Sequence, residues 1–215
     1  NMNIKYGMIL AAGLGKRMQP LTFKTPKPLL EINNVTLLEK TINLLISHGV
    51  REISINVHYL PEQIQSFINK KKFQAKITIS NEKDLLLDTG GGVLEGTTQF
   101  KDSPFFVINP DTLWSKKYLQ ETKKLEEIFY KNNKPSLLIV NKKLSLDKSF
   151  IGDFNLRNET IYKDKENQFI FTGLHITSRN FLTTEKSKVF SMNKIWNDLI
   201  RKNNLYGMES KQKFY

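Results

Sequence analysis

The chain has 215 residues, 39% of them hydrophobic and 25% charged, with no cysteine and a net charge of +12. That length supports one domain with a full core, and that balance excludes wholesale disorder. The lack of cysteine excludes a disulfide framework, a thiolate nucleophile and a Cys-ligated zinc or iron–sulfur site.

Along the chain, Tyr6–Leu10 reads as a buried strand. Leu37–Ser47 carries apolar residues at helical spacing and stops at Gly49. Glu52–Val57 reads as a strand, Pro61 to about Lys71 as a helix with proline at a start position, and Lys76–Ser80 as a strand. Gly91–Phe100 is expected to be a short helix, Pro104–Asn109 a strand, Lys116–Lys131 a helix and Ser136–Val140 a strand. Strand followed by helix, repeated, predicts an α/β fold with a Rossmann-like, mixed but mostly parallel sheet and helices on both faces. After Asn141 the pattern changes: Phe154–Leu156, Thr160–Tyr162 and Phe169–Ile176 read as antiparallel strands and Met192–Asn203 as a helix. This second part is expected to form a small antiparallel α+β cap. In an open parallel sheet the ligand lies beyond the carboxyl ends of the strands, which directs attention to the residues after Leu10, Ser80 and Asn109.

The first of these segments runs from Leu10-Ala11-Ala12-Gly13-Leu14-Gly15-Lys16-Arg17 through Met18-Gln19-Pro20-Leu21-Thr22 to Thr25-Pro26-Lys27-Pro28. It lacks the Walker A pattern, and Met18 fills the third glycine position of the dinucleotide fingerprint, so both familiar phosphate loops are excluded. Glycines at 13 and 15 let backbone N–H groups approach phosphate oxygens, and Lys16 and Arg17 add positive charge. Lys27 is a cation on a mount stiffened by prolines on both sides. An ordinary strand-to-helix turn of two to six residues needs none of this.

The stretch resembles the signature of the sugar-1-phosphate nucleotidyltransferase family, Gly-x-Gly-x-Arg-Met-x-Pro-Leu-Thr-x-x-x-Pro-Lys-Pro. Gly49-Val50-Arg51-Glu52-Ile53, Asn56-Val57-His58-Tyr59-Leu60, Asp88-Thr89-Gly90-Gly91-Gly92 and Asn109-Pro110-Asp111 are similar to further segments of one subgroup. Within the family the chain most resembles the N-acetylmuramate α-1-phosphate uridylyltransferases, short members without a left-handed β-helix. The resemblance implies a nucleotide-diphospho-sugar transferase fold in a single domain over residues 2–215, with a nucleotide-binding half at 2–141 and a sugar-binding half at 142–215. It also implies Mg²⁺-dependent attack of a sugar-1-phosphate on the α-phosphorus of a nucleoside triphosphate, giving a nucleotide sugar and pyrophosphate. That nucleophile is already an anion, so the chemical problem is to neutralise two polyanions and stabilise the charge between them.

By the same resemblance Gly15, Lys16 and Arg17 hold the triphosphate, the base meets Leu10–Ala12 and the Asp88–Gly92 region, and Leu10, Ala11, Ala12, Gly13, Gly90 and Gly91 bind the nucleotide. Lys27 bridges the two phosphates, and Asp111 ligates Mg²⁺, making Arg17, Lys27 and Asp111 the catalytic set. Mg²⁺ takes one or two carboxylates plus phosphates and water, so a lone Asp is adequate; the alternative for Asp111 is a cap for the helix that follows. Glu82 sits where relatives touch the base edge. A carboxylate only accepts, which disfavours cytosine and leaves uracil and guanine open; the alternative is a solvated loop carboxylate. Asn109, Gly152, Asp153 and, more weakly, Thr172 are expected beside the sugar, or are turn residues at strand ends.

Five of the 33 basic residues are arginine and the rest lysine, scattered through every segment. This fits an AT-rich genome better than nucleic-acid binding, which favours clustered arginine forks. The expected partners are therefore a nucleoside triphosphate, with UTP favoured, and a sugar-1-phosphate, with N-acetylmuramate 1-phosphate favoured. A guanylyltransferase acting on mannose-1-phosphate or heptose-1-phosphate, and a non-catalytic nucleotide-sugar sensor, remain open. No apolar run approaches the roughly 18 residues of a membrane span, and a cytoplasmic location is expected. The family's second metal-ligating Asp lies in a Trp-x-Asp-Val-Gly-Thr-like segment. The sequence ends at Phe214-Tyr215, where that segment should begin, so either the chain continues, which is favoured, or this member lacks that ligand.

Overall fold

The computed structural model describes residues 3–13, 18–82 and 84–215. The expected phosphate contacts Gly15, Lys16 and Arg17 lie outside the described residues. The first half alternates β1 (Tyr6–Leu10), a two-stranded hairpin of β2 (Glu31–Ile32) and β3 (Val35–Thr36), α1 (Leu37–His48), β4 (Glu52–Val57), α2 (Pro61–Lys71), β5 (Lys76–Asn81), α3 (Asp88–Gly96), β6 (Phe105–Ile108), α4 (Leu119–Asn132) and β7 (Ser136–Asn141). The second half adds β8 (Asn155–Arg157), β9 (Thr160–Tyr162), β10 (Phe169–Thr177), α5 (Met192–Arg201) and β11 (Tyr206–Ser210).

Nine strands form one sheet in the order β5-β4-β1-β6-β10-β7-β11-β9-β8. β10 runs antiparallel between β6 and β7, β9 runs antiparallel to β11 and β8, and the others point one way. The sheet is thus mixed and mostly parallel, as expected. Its carboxyl edge brings Glu82 (after β5), Asn56 (in β4), Ala11 (after β1) and Asn109 (after β6) into a row.

Helices cover both faces because both faces of the strands are apolar. One cluster joins Leu38, Ile42 and Leu45 of α1, Ile64 of α2 and Leu125 and Phe129 of α4 to Ile9, Ile53, Ile55 and Phe106 of the sheet. The opposite cluster joins Val93 of α3 and Ile195 and Trp196 of α5 to Met8, Val107, Leu137 and Ile139. α1 begins where the Thr36 hydroxyl accepts from the Glu39 N–H and ends at Gly49, whose φ of 118° suits a residue without a side chain.

His175 of β10 lies in the second cluster, its ring 5.2 Å from that of Trp196. Neither ring nitrogen has a hydrogen-bond partner among the described residues. Burial pushes its pKa down from 6.5 to about 3, so the folded imidazole stays neutral. An unfolded histidine takes its proton near 6.5, so acid favours unfolding across the window from 6.5 to 3, with a slope of about 1.4 kcal/mol per pH unit. His175→Phe is expected to remove this component. In urea unfolding, the variant should gain on the wild type as pH falls from 7 to 5, and parallel stability curves would count against it.

Candidate active site

A cavity of about 340 Å³ opens at the carboxyl edge of the sheet. Its floor is Leu10, Ala11, Ala12 and Gly13 at the end of β1; Asn56 and Glu82 line the β4–β5 side, Leu86, Asp88 and Thr89 the α3 side, and Lys27, Pro28, Asn109, Pro110 and Asp111 complete it. Every expected nucleotide-side residue from Leu10 to Gly13, together with Lys27, Glu82, Asn109 and Asp111, therefore lines one cavity.

The charged pair at this cavity is Lys27 and Asp111, with Nζ 3.6 Å from Oδ2. Lys27 opens a single 3-10 turn, Lys27–Leu29, entered from Pro26 at φ −64° and closed by the Leu30 N–H on the Lys27 carbonyl. Two prolines and that turn hold the lysine backbone in place. Asp111 is held differently. The Asn109 N–H donates to the Gly173 carbonyl (2.8 Å), the Thr112 hydroxyl to the Thr172 carbonyl (2.8 Å), and the buried Trp114 indole N–H to the Asn109 carbonyl (2.6 Å). The loop is thus pinned on both sides of Asp111, while its own side chain stays 49% exposed. Capping does not explain Asp111: Ser115 caps the turn at Lys116–Tyr118, its hydroxyl accepting from the Lys117 N–H.

A second cavity of about 500 Å³ is lined by Gly152, Asp153, Phe154, Lys163, Asn167, Phe171, Asn193, Trp196 and Asn197. Phe171 lies two residues before Gly173, which faces Asn109 of the first cavity, so β10 carries residues of both neighbourhoods. The Asp153 carboxylate accepts from the Phe171 N–H at 2.9 Å. Gly152 is required, since a Cβ there would lie 1.7 Å from the Asn167 carbonyl oxygen.

The model of the family described as nucleotidyl transferase matches residues 6–147, which include β1, Lys27, Asn56, Glu82 and Asp111. The chain belongs to the nucleotidyl transferase family. It is 34% identical over 113 residues to an N-acetylmuramate alpha-1-phosphate uridylyltransferase of Caulobacter vibrioides, covering 51% of this chain and 47% of the relative. It is 39% identical over 111 residues to a mannose-1-phosphate guanyltransferase of Gibberella zeae, covering 50% of this chain and 30% of the relative. The matched part is thus about half the length of the first relative and under a third of the second. Among solved structures, a UDP-glucose pyrophosphorylase complexed with UDP-glucose superposes at TM-score 0.81 and 17% identity, covering 99% of this chain and 92% of the other. A putative glucose-1-phosphate thymidylyltransferase from Bacillus anthracis gives 0.82 and 18%, covering 97% and 88%. At these identities the likeness establishes the fold, the nucleotide-diphospho-sugar transferase type.

Three expectations for this nucleotidyl transferase need correction. Glu82 is not a solvated loop carboxylate: it lines the cavity but is 4% exposed, its Oε2 accepts from Asn56 Nδ2 (2.7 Å) and its Oε1 from the Leu87 N–H (3.0 Å). Asn56 Oδ1 in turn accepts from the Ala11 N–H at 2.7 Å, so Glu82 braces the cavity floor through Asn56. Gly90 and Gly91 do not offer their N–H groups to a ligand. Both donate to the Phe190 carbonyl, at 2.9 and 3.1 Å, and a Cβ on Gly91 would lie 2.2 Å from the Lys188 carbonyl oxygen. The close approach that requires glycine is to the protein's own segment at 188–190. Thr172 lines neither cavity; it is buried at the β10 bulge, with its hydroxyl donating to the Leu138 carbonyl.

Sequence reasoning placed Asp88 and Thr89 in the region facing the base and missed Asn56 as a lining residue and Thr112 and Trp114 as anchors. Asn56 was detectable as an amide inside the buried run Ile53–Val57. Trp114 was not, because its partner is a backbone carbonyl that only the folded loop presents. Glu82→Gln is expected to lower stability by about 1–3 kcal/mol, because one amide cannot accept from both Asn56 and the Leu87 N–H. Chemical denaturation measures this, and an unchanged midpoint would contradict the brace.

Among the described residues no group of three or more His, Cys, Asp or Glu could hold a metal. The donor set still fits Mg²⁺, which needs only one or two protein carboxylates when substrate phosphates and water complete its shell. Asp111, half exposed on a pinned loop at the cavity, meets that need. Among the described residues no helix is long and apolar enough to cross a membrane.

Proposed function

We propose that the protein transfers a nucleotidyl group from a nucleoside triphosphate to a sugar-1-phosphate in a Mg²⁺-dependent reaction, releasing pyrophosphate. The observation that carries this reading is the Lys27–Asp111 pair, a mounted cation and an exposed carboxylate 3.6 Å apart on a cavity at the sheet's carboxyl edge. Triphosphate and sugar phosphate repel each other, and the ammonium of Lys27 lowers that cost most where charge builds up during transfer. Asp111 would hold Mg²⁺, which supplies further charge neutralisation at the phosphates. Gly15, Lys16 and Arg17 belong to the same reading as triphosphate contacts, on the strength of the loop signature. Leu10–Gly13 give the base a flat, mostly apolar floor, and Asn109 with Gly152 and Asp153 serves the sugar.

We favour UTP and N-acetylmuramate 1-phosphate as substrates, supported by likeness to the uridylyltransferase of Caulobacter vibrioides. The guanyltransferase of Gibberella zeae supports a second reading, GTP with mannose-1-phosphate. Pyrophosphate release over the four common triphosphates and a panel of sugar-1-phosphates, including both favoured ones, tests the proposal. Release that needs a sugar-1-phosphate and Mg²⁺ is expected, strongest with UTP and an amino-sugar phosphate. Release only from GTP with mannose-1-phosphate would move the assignment to the second reading, and none from any pair would remove both.

A further inference from the structure

One connection, residues 178–192 between β10 and α5, grips α3 at both ends. At the far end of α3 the Arg179 guanidinium donates to the Leu94 carbonyl and, at 3.1 Å, to the Thr97 hydroxyl. At the start of α3 the N–H groups of Gly90 and Gly91 donate to the Phe190 carbonyl, while the Thr89 hydroxyl oxygen accepts from the Met192 N–H at 2.8 Å. Bonds therefore run in both directions across this contact. Phe190 and Met192 are buried there, in one cluster with Val93 of α3 and Ile195 and Trp196 of α5.

Met192 is the first residue of α5, and a helix leaves its own first N–H groups without partners. Ser191 satisfies the second of them, its hydroxyl accepting from the Asn193 N–H at 3.2 Å. The first falls to Thr89, a residue of another helix. Thr89 lines the first cavity; Asn193, next in the chain to Met192, lines the second, as do Trp196 and Asn197 one turn on. A single hydrogen bond thus joins the walls of the two cavities.

The Thr89 hydroxyl has a further capacity. A hydroxyl donates one proton and accepts through two lone pairs. Thr89 is exposed, and its hydroxyl proton has no acceptor among the described residues. A ligand that takes this proton fixes the hydroxyl rotor, and hydrogen bonds linked in series through one oxygen strengthen each other. The neighbouring N–H groups do not offer this route. That of Thr89 is taken by Asp88 Oδ1 at 2.7 Å, and those of Gly90 and Gly91 are taken by Phe190.

Building on the nucleotide-binding reading of the first cavity and the sugar-binding reading of the second, we propose that Thr89 is a positioning residue that couples them. A nucleotide held in the first cavity fixes the start of α5 through Thr89 and Met192, and so presets Asn193, Trp196 and Asn197 for the sugar phosphate. Coupling of this kind is reciprocal: each ligand raises affinity for the other by the same factor.

Hydrogen exchange and calorimetry test this in the wild type, Thr89→Ser and Thr89→Val, with Mg²⁺ and the α,β-methylene analogues of UTP and GTP, which transfer cannot cleave. Serine keeps the hydroxyl; valine keeps the shape and loses it. In the wild type and Thr89→Ser, the analogue that binds is expected to slow amide exchange across residues 190–197 about fivefold or more. It should also tighten binding of the matching sugar phosphate, N-acetylmuramate 1-phosphate or mannose 1-phosphate, by a similar factor. In Thr89→Val the analogue should bind without slowing exchange there, and the tightening should be lost. Faster exchange in Thr89→Val with and without nucleotide, but with the same nucleotide-dependent slowing, would make Thr89 merely structural and overturn the proposal. A wild type that binds the analogue with no slowing at 190–197 overturns it too, as does tightening that survives in Thr89→Val. Failure of both analogues to bind overturns it together with the nucleotide reading. Nucleotide-dependent slowing and tightening that Thr89→Val abolishes, in a protein that releases no pyrophosphate, supports the coupling and removes only the transfer reaction.

Discussion

Asp111→Asn is expected to lower Mg²⁺-dependent turnover by about a hundredfold or more while the protein stays folded. An amide oxygen is a neutral and weaker ligand for a hard cation, so the charge that offsets two phosphates is held less firmly. The fold should not notice. The bonds that pin the loop run through Asn109, Thr112 and Trp114, and the Asp111 side chain contributes only a half-exposed ion pair to Lys27. Such a pair adds about 0–1 kcal/mol. Turnover across a Mg²⁺ titration, beside a thermal melt, separates the two effects. Wild-type activity at limiting Mg²⁺ would show that Asp111 is not the ligand.

Lys27→Met is expected to reduce kcat by about a hundredfold and to raise KM for the triphosphate far less. Its ammonium faces Asp111 across 3.6 Å on a turn fixed by Pro26 and Pro28, so it is placed before substrate arrives. A preplaced cation between two phosphates stabilises the transition state, where their charges are closest, more than it stabilises either bound reactant. Methionine keeps the stem and removes the charge, so a loss confined to KM would reduce Lys27 to a binding residue.

Much of the fold could be read from the sequence because its strands and helices carry their own signals. Tyr6–Leu10 and Ser136–Asn141 are largely apolar runs of strand length, Glu52–Val57 alternates polar and apolar residues, and α1 and α4 have apolar residues at helical spacing. β11 was missed: Tyr206–Ser210 contains a glycine and a glutamate, does not alternate, and owes its strand geometry to pairing with β7. The β2–β3 hairpin, of two residues a side, gives too short a pattern to detect. α3 begins at Asp88, three residues before the expected start, because packing of Gly90 and Gly91 on the 188–190 segment outweighs the poor helix propensity of glycine.

The site divides in the same way. Residue types at the strand ends were informative, and the structure brings Lys27 and Asp111 to the same cavity. Which hydrogen bonds those residues make was not legible. The donors that occupy Glu82 come from β4 and from Leu87, and the acceptor that occupies Gly90 and Gly91 is the carbonyl of Phe190, a hundred or so positions away in the chain. A motif records that a carboxylate or a glycine is needed, and only the folded chain reveals what it faces.

The most direct test of nucleotidyl transfer follows isotope through the reaction. The protein is incubated with Mg²⁺, a sugar-1-phosphate and UTP or GTP, each with its own sugar phosphate, labelled with ³²P either at the α-phosphorus or at the γ-phosphorus. The expected result is α-label in a nucleotide sugar and γ-label in pyrophosphate, both only when the sugar phosphate is present. Label that stays in the triphosphate, or γ-label that appears as inorganic phosphate at a rate indifferent to the sugar phosphate, would contradict transfer at the Lys27–Asp111 cavity.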